Sequence, residues 1–337
     1  MTDLRIVPVD PHDDASFASW YDTMIAGTGA GRPDPPHWAF PEAQVTYQRP
    51  VSIRRQEAFV AMDGLTVVGQ GHVDFPLLDN PRLARFDVAV PPAHRGKGVG
   101  TALFAHVEKK ARAAGRSSLL AELDIPIDVD PDDWPGATFL AKRGFTLRNT
   151  ELRRQLRLPV DADRLDALAV KAAERATGYG MESWTGPCPD RWAAEYAQLK
   201  GMLATEAPTG DVEYEKEHWD EARLREQEAM TDAQGRTAFT TLAIASDGTL
   251  AGHTQLGVGR HEPDRAYQWD TLVVPAHRGH RLGLALKVAN LRALQDTHPE
   301  VRRVNTWNAI QNGPMVRVNE DLGFEVLEAC QEWQRDL

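Results

Sequence analysis

Alternating apolar and polar positions occur twice along the chain, each time around an Asp-Gly pair. The paired segments are 58–61 with 67–75 around Asp63-Gly64, and 240–245 with 250–256 around Asp247-Gly248. Asp-Gly between two alternating runs is a strong signal for a tight hairpin. The pattern therefore predicts two β-hairpins about 180 residues apart.

A second feature repeats at the same interval: an apolar strand, a proline, a basic loop with glycines and an amphipathic helix. Strand 86–90 precedes the loop 95–100, and strand 269–274 precedes the loop 278–283. Apolar residues then recur at helical spacing, namely Leu103, Val107, Ala111 and Ala114 after the first loop and Leu284, Val288, Leu291 and Leu294 after the second. This spacing predicts two helices that each pack one face on a sheet.

A Gly-Phe pair closes each half, at Gly144-Phe145 and at Gly323-Phe324. Three features repeated in the same order indicate a duplicated α/β domain. Residues 161–177 have an acidic start and a glycine stop, which predicts a helix, and a strand is expected at 179–184. We therefore predict an N-terminal domain at 1–160, a helical linker at 161–178 and a C-terminal domain at 179–337.

Composition and charge limit the classes of protein to which this chain can belong. The 26% charged and 42% hydrophobic residues are typical of a globular protein, and no stretch reaches the ~20 apolar residues of a membrane span. The start of the chain has no secretory pattern, so we expect a cytoplasmic protein without membrane partners. A formal charge of −11 disfavours a nucleic-acid partner. Two cysteines are too few for a disulfide framework, and we expect no metal site.

The loop at 95–100 presents backbone amides at the start of a helix, which suits a pyrophosphate. A tight turn without a ligand is one alternative. A dinucleotide loop is another, since Gly96, Gly98 and Thr101 nearly form that fingerprint and Glu122 lies downstream. The dinucleotide loop normally follows the first strand of its domain, whereas this loop follows a hairpin, so the position argues against it.

The residues Arg95, Gly98 and Gly100 form an Arg-x-x-Gly-x-Gly pattern that resembles the acyl-CoA pyrophosphate loop of the GNAT superfamily of N-acetyltransferases. The order of elements in both halves resembles that fold as well. The resemblance implies an α/β protein of the α+β type, with two tandem GNAT-like domains that each have a mixed, mostly antiparallel sheet flanked by helices. It also implies acetyl-CoA as the co-substrate.

In that family the strand before the loop holds the pantetheine arm through its backbone, and the loop holds the phosphates. Carried onto this chain, the first set is Val88, Ala89, Val90, Arg95, Gly96, Lys97, Gly98, Val99, Gly100 and Thr101. The second set is Leu272, Val273, Arg278, Gly279, His280, Arg281, Leu282, Gly283 and Asn312. The second loop departs from the pattern, because Arg281 stands where the motif has a glycine. Asp133 stands where Asn312 is expected in the first half.

The family's catalytic residues match this chain less closely than its cofactor loop does. The family's usual acid for the leaving sulfur is a tyrosine, and the matching positions hold Leu140 and Asn319. An asparagine can stabilise sulfur by hydrogen bonding, so Asn319 is our candidate there. Asp270 is the candidate general base, with Asp87 as its counterpart. Further acceptor-site candidates are His72, His253, Glu206, Asp211 and Glu213, and the tryptophans of the second half favour that half for acceptor binding.

These observations predict an N-acetyltransferase that moves an acetyl group from acetyl-CoA to a small-molecule amine by direct attack in a ternary complex. The alternative is a CoA-binding protein without catalysis, serving as a regulator or scaffold. The chain is expected to be a monomer or a homodimer. The sequence identifies neither the acceptor nor the half that uses the cofactor.

Overall fold

The computed structural model describes residues 4–212 and 214–337, and these form two compact units. The first unit contains 4–150 together with 329–337, and the second contains 151–328. This division differs from the bounds expected from the sequence. Residues 151–178 belong to the second unit, and the last nine residues, 329–337, belong to the first.

The helices and strands of the first unit follow the repeated order that the sequence predicts. They are β1 (Leu4–Pro8), α1 (Asp14–Thr28), α2 (Phe40–Gln48), β2 (Arg54–Asp63), β3 (Thr66–Pro76), β4 (Leu83–Ala89), α3 (Val99–Ala113), β5 (Ser118–Pro126), α4 (Pro135–Ala141) and β6 (Thr146–Arg157), which continues into the second unit.

The second unit repeats that order after a helix at the predicted linker. Its elements are α5 (Ala162–Ala173), β7 (Tyr179–Thr185), α6 (Asp190–Gly201), α7 (Leu203–Glu206), α8 (Glu221–Ala233), β8 (Arg236–Ala245), β9 (Leu250–Gly259), β10 (Glu262–Val273), α9 (Leu282–Thr297), β11 (Arg303–Ala309), α10 (Gly313–Leu322) and β12 (Glu325–Asp336).

Both units have a mixed, mostly antiparallel sheet, as expected. In the first unit β1, β2, β3 and β4 pair antiparallel in sequence order, and β4 pairs parallel with β5. The second unit repeats this with β7, β8, β9 and β10 antiparallel and β10 parallel to β11. Both predicted hairpins, β2–β3 and β8–β9, are confirmed by these registers.

The parallel ladder in the first unit stops before β4 does. Its last pair is Phe86 with Ala121, whereas β4 runs on to Ala89. Residues 87–89 still pair with β3 on their other side. The end of β4 therefore has an edge on the β5 side that the ladder does not occupy.

The strand that lies beside each parallel pair begins in the other half of the chain. In the second unit, residues 151–157 of β6 pair antiparallel with β11. In the first unit, Gln334 of β12 donates to Ser118 on β5 at 2.9 Å, and the Leu337 amide donates to the Ser117 carbonyl at 2.8 Å. Each Gly-Phe turn thus begins a strand that leaves its own unit, which explains why the units do not follow the predicted bounds.

Helices α3 and α9 pack on their sheets along the predicted stripes. Leu103, Val107 and Ala111 are fully buried in the core of the first unit. Leu284, Val288, Leu291 and Leu294 are buried in the core of the second. The burial of these stripes holds the start of each helix against the end of the strand that precedes it, and this fixes the position of both loops.

Candidate active site

The loop of the first unit leads β4 directly into α3. Gly96 and Gly98 have φ angles of +74° and +84°, and a Cβ atom at either residue would meet nothing within 4 Å. Gly98 is the N-cap of α3 and supplies no side chain to bond the first-turn amides. The loop is therefore a cradle of backbone N–H groups open to an anion, at the positive end of a helix dipole.

Charged side chains around this loop mainly hold its shape. Arg95 donates through Nε to the Val90 carbonyl at 2.8 Å and through Nη2 to the Gly27 carbonyl at 3.2 Å. Lys97 Nζ donates to the Ala93 carbonyl at 3.0 Å. The Arg95 side chain is thus engaged with the backbone, and the amides of the loop are left for a ligand.

A cavity of about 1450 Å³ joins this loop to the open edge of β4. Its walls include every cofactor position expected in the first half except Lys97: Val88, Ala89, Val90, Arg95, Gly96, Gly98, Val99, Gly100 and Thr101. Arg143 lies beside the loop, donating to Thr101 Oγ1 at 2.7 Å and stacking 3.5 Å from the centre of the Phe139 ring. The cavity is large enough for a ligand with a long arm and a second substrate.

Five carboxylates line the same cavity: Asp74, Asp87, Glu122, Asp124 and Asp133. Asp87 Oδ2 accepts from Gln70 Nε2 at 2.7 Å. Asp124 pairs with Arg32 at 3.0 Å, and Asp74 lies 3.6 Å from Arg54. Because these pairs account for Asp74 and Asp124, the carboxylates of the cavity are not equivalent.

Glu122 differs from the other four. It follows Ala121, where the parallel ladder ends, and its side chain is exposed to the cavity, which itself opens to solvent. Partial desolvation by the surrounding residues raises the pKa of Glu122, and the charges of Glu332, Asp124 and Asp87 raise it further against the opposing charge of Arg85. A carboxylate of raised pKa in a cleft is a stronger base than an ordinary glutamate, which suits it to accept a proton.

The sequence singles out Glu122 only as the downstream acid of the dinucleotide alternative. A signal is present, because Glu122 is an acid directly after the apolar run Leu119, Leu120 and Ala121 of β5. Its use depends on where the ladder with β4 stops, and the sequence pattern does not determine that point. Trp38 and Trp134 also line the cavity, and no sequence pattern singled them out.

The loop of the second unit has a different environment. Arg281, at φ +55°, is the N-cap of α9, and its Nη1 donates to the Lys171 carbonyl and to Glu174 Oε2, the latter at 2.7 Å. Arg278 donates to the Val273 carbonyl at 3.2 Å and to Glu206 at 2.7 Å. The side chains of this loop are therefore bound to neighbouring parts of the same unit.

The cavity in the second unit is much smaller, about 150 Å³, and no residue of 278–283 lines it. Leu203, Ala207 and Pro208 border it beside Trp269 and Trp307. Of the expected cofactor residues of this half, it includes Asn312 and none of the loop. The Asn312 side chain accepts from the Met315 amide at 3.4 Å and caps α10.

Asp270, expected to act as the base, accepts from Lys200 Nζ in an ion pair whose lysine is 3% exposed. Burial opposes the charged form of Asp270, but the charge of Lys200 outweighs it and lowers the pKa of Asp270 below its ordinary value. A carboxylate of lowered pKa is a weak base. This geometry does not favour the role expected from the sequence, and the assignment remains a prediction.

Asn319, expected to stabilise the leaving sulfur, is fully buried. Its Oδ1 accepts from Lys287 Nζ at 2.7 Å, and its Nδ2 donates to Asn308 Oδ1 at 3.0 Å. Both polar atoms of the side chain are thus used inside the second unit. Because the side chain is fully buried, the predicted contact with sulfur would require its neighbours to move.

The histidines of the two Gly-His pairs, His72 on β3 and His253 on β9, lie in different environments. His72 lies opposite Asp87 in the ladder and lines the large cavity. His253 is fully buried against Tyr196, with ring centres 5.2 Å apart, and burial lowers its pKa to about 3. A neutral, enclosed imidazole is not available to a substrate.

The remaining acceptor-site candidates, Glu206, Asp211 and Glu213, stay predictions. Glu206 pairs with Arg278, Asp211 is exposed, and Glu213 lies outside the described residues. Within 4–212 and 214–337, no three His, Cys, Asp or Glu side chains are grouped as a metal would need. No helix in those ranges is long and apolar enough to cross a membrane.

Comparison with known proteins gives the context for this geometry. The model of the acetyltransferase (GNAT) family matches residues 10–145 and 201–324. The chain is 32% identical over 241 residues to a mycothiol acetyltransferase of Kineococcus radiotolerans, covering 71% of this chain and 68% of that protein. It is 25% identical over 282 residues to a mycothiol acetyltransferase of Rhodococcus erythropolis, covering 83% and 84%.

A solved tandem GNAT protein from the clavulanic acid biosynthesis pathway superposes with a TM-score of 0.79 at 28% identity, covering 99% of this chain and 98% of that one. A GCN5-related N-acetyltransferase from Sphaerobacter thermophilus shares the fold, with a TM-score of 0.65 at 15% identity and coverage of 99% and 95%. With the family model matched in both halves, the chain belongs to the GNAT acetyltransferase family as a tandem member.

Proposed function

We propose that the first unit binds acetyl-CoA and transfers its acetyl group to the amine of a small molecule, and that the second unit is mainly structural. One observation carries this assignment. The cavity of about 1450 Å³ joins the glycine loop, the open edge of β4 and Glu122, whereas the cavity of about 150 Å³ in the second unit excludes its own loop.

Acetyl-CoA fits the residues of the first unit. Its pyrophosphate would lie on the backbone amides at 96–101, and its pantetheine arm would lie along the unpaired side of residues 87–89. A backbone N–H on that edge would polarise the thioester carbonyl. Relatives named mycothiol acetyltransferase support a small-molecule acceptor.

Glu122 is the proposed general base. Its carboxylate would take one proton from the acceptor ammonium, and the neutral amine would attack the thioester carbon. As the carbon–sulfur bond breaks, the second proton on nitrogen would pass to sulfur, and Glu122 would return its proton to solvent. The transfer then needs no covalent enzyme intermediate, and a thiol with an ordinary pKa of about 8.5 leaves without a dedicated acid such as tyrosine.

A matched pair of variants tests the assignment to one unit. Gly96 and Gly279 stand at the same loop position, both have positive φ, and a Cβ at either meets nothing within 4 Å. Aspartate tolerates such backbone angles and places a negative charge on the phosphates. In calorimetric titration with acetyl-CoA, we expect Gly96→Asp to lose binding and Gly279→Asp to keep it.

The other outcomes are equally informative. Loss of binding only in Gly279→Asp would transfer the proposal to the second unit. Absence of binding in correctly folded wild type would overturn acetyl-CoA use. Binding without thiol release, across a panel of primary amines that includes spermidine, tyramine and glucosamine, would favour the non-catalytic CoA-binding alternative.

A further inference from the structure

The second unit contains a buried polar pair where the first unit has an apolar pair. Lys287 on α9 and Asn319 on α10 stand at the positions of Phe104 on α3 and Leu140 on α4 in the repeat. Phe104 and Leu140 are buried in one apolar cluster. Lys287 and Asn319 are 3% and 0% exposed, and Lys287 Nζ donates to Asn319 Oδ1 at 2.7 Å. Since apolar residues fill this place in the other copy, the fold does not require an amine there.

The partners of Lys287 are unusual for a buried lysine. Its Nζ donates to the neutral amide of Asn319, and the nearby charge that lowers its pKa is the cation Arg154. Arg154 likewise donates to a neutral amide, Asn308 Oδ1, at 2.7 Å. A buried ammonium without a carboxylate partner costs several kcal/mol, so the neutral amine is favoured. Burial, assisted by Arg154, lowers the pKa of Lys287 to about 7.

Two carboxylates line the cavity beside Lys287, and a third acts on Arg154. Asp270 and Glu151 line the same cavity, and Asp270 is held by Lys200. Glu320 acts on Arg154 and offsets part of its charge. Lys200 shows the opposite arrangement: it is as deeply buried as Lys287, yet Asp270 raises its pKa and keeps it charged.

Room for a small reactant exists beside the amine. Lys287 lines the cavity of about 150 Å³ together with Thr306, Asn308 and Asn312. That volume is several times the roughly 30 Å³ that one water occupies in the liquid. A triatomic molecule without charge therefore fits, and its entry requires no desolvation of an ion.

We infer that the second unit carries a carbon dioxide site in which the neutral Lys287 amine adds to CO₂ and forms a carbamate. The nitrogen lone pair forms the new N–C bond, one C=O π pair moves to oxygen, and one N–H proton leaves to solvent, so no oxidant or reductant is needed. The product is an anion, which the nearby Arg154 cation attracts, whereas the neutral amine carries no charge for it to attract. A desolvated lysine is also a good nucleophile.

The experiment uses the whole chain with ¹³C-bicarbonate in equilibrium with CO₂ at neutral pH. We expect a protein-bound carbamate resonance in the ¹³C NMR spectrum that disappears in Lys287→Met. Lys171→Met, which changes a lysine whose side chain is 43% exposed, is the control that should keep it. The double variant Lys287→Phe with Asn319→Leu copies the pair of the first unit and should fold while lacking the resonance.

Two further readouts complete the test. Bicarbonate should raise the melting temperature of the wild type and not of Lys287→Met, because a ligand stabilises only the state that binds it. Trapping with triethyloxonium should alkylate the carbamate on the peptide that contains Lys287. A missing resonance in folded wild type, a resonance that survives Lys287→Met, or bicarbonate bound without covalent trapping would each overturn the inference.

Discussion

The first and second units carry the same motifs in the same order, yet within 4–212 and 214–337 the first loop lines the cavity of about 1450 Å³, whereas the second loop does not line the cavity of about 150 Å³. At equivalent positions Gly98 leaves the first loop open, whereas Arg281 bonds across the second to residues of α5 and its end. Asp87 lines the first cavity, whereas its counterpart Asp270 is bound by Lys200. The comparison shows that a duplicated motif preserves the backbone turn, while a few side chains decide whether the turn can bind a ligand.

The largest expected effect concerns Glu122. Replacing it with glutamine should lower kcat by about 10²- to 10⁴-fold, the usual contribution of a general base, with the acetyl-CoA Kd unchanged. The assay is thiol release with the best amine of the panel, and calorimetry supplies the Kd. Equal loss of acetyl-CoA binding would indicate a structural role instead.

The pH profile sharpens that prediction. Glu122 must be ionised to accept a proton, and its pKa is raised. Wild-type kcat should therefore fall as the pH drops through this raised pKa, higher than an ordinary glutamate would give. In Glu122→Gln that limb should be absent, and the rate should rise with pH only as the amine itself loses its proton.

The next effect tests whether the ion pair between Lys200 and Asp270 belongs to the packed interior of the second unit. Lys200→Met leaves the charge of Asp270, whose side chain is 22% exposed, without its partner. This should lower the free energy of unfolding by about 3 kcal/mol, the lower end of the range for a buried pair. Urea unfolding measures it. The exposed pair Lys171–Asp321 is the matched control, and Lys171→Met should cost at most about 1 kcal/mol.

Adding Asp270→Leu to Lys200→Met should recover much of the lost stability, because no unpaired charge then remains. If Lys200→Met instead costs no more than the control, the pair is not part of the core. Asp270 would then return as a candidate base in the second unit.

An exchange between the loops gives a somewhat smaller effect. Gly98→Arg converts the first loop into the second, and Arg281 shows that an arginine can adopt this left-handed position. Loss of two charge-assisted bonds to phosphate, each about 1.5–3 kcal/mol, should weaken acetyl-CoA binding more than about 100-fold in calorimetry. The reciprocal Arg281→Gly should create no second site, because its cavity remains small. A second site in that variant would contradict the comparison.

The smallest effect concerns the buried pair Lys287–Asn319, which stands where the first unit has Phe104 and Leu140. It is the dependence of stability on pH. The pKa of Lys287 is about 7 in the folded protein, below the unfolded value of 10.5, so the unfolded chain binds more protons between these values. Wild-type stability should therefore increase with pH above about 7 relative to Lys287→Met, by at most about 1.4 kcal/mol per pH unit. Urea unfolding at several pH values measures the difference. Parallel curves for the two proteins would show that Lys287 stays charged.

Local patterns predicted much of the fold because they depend on residues close together in the chain. The Asp-Gly hairpins, the stripes of α3 and α9 and the glycine loops all appear at the expected places. Gly98 and Thr101, two of the predicted cofactor residues, line the large cavity. The sequence correctly favoured a tandem GNAT fold, since each of these signals spans only a few residues.

The sequence by itself determined the duplication, the order of elements and the two turns that can face a phosphate. Tertiary structure decided which turn is open, because Arg281 meets Glu174, and Asp270 meets Lys200, only after distant segments pack together. It also decided that β6 and β12 end outside the units in which they begin. Whether the Glu122 side chain lies open to the cavity likewise depends on where the ladder between β4 and β5 stops. These features arise from long-range contacts and burial, which no local pattern of residues encodes.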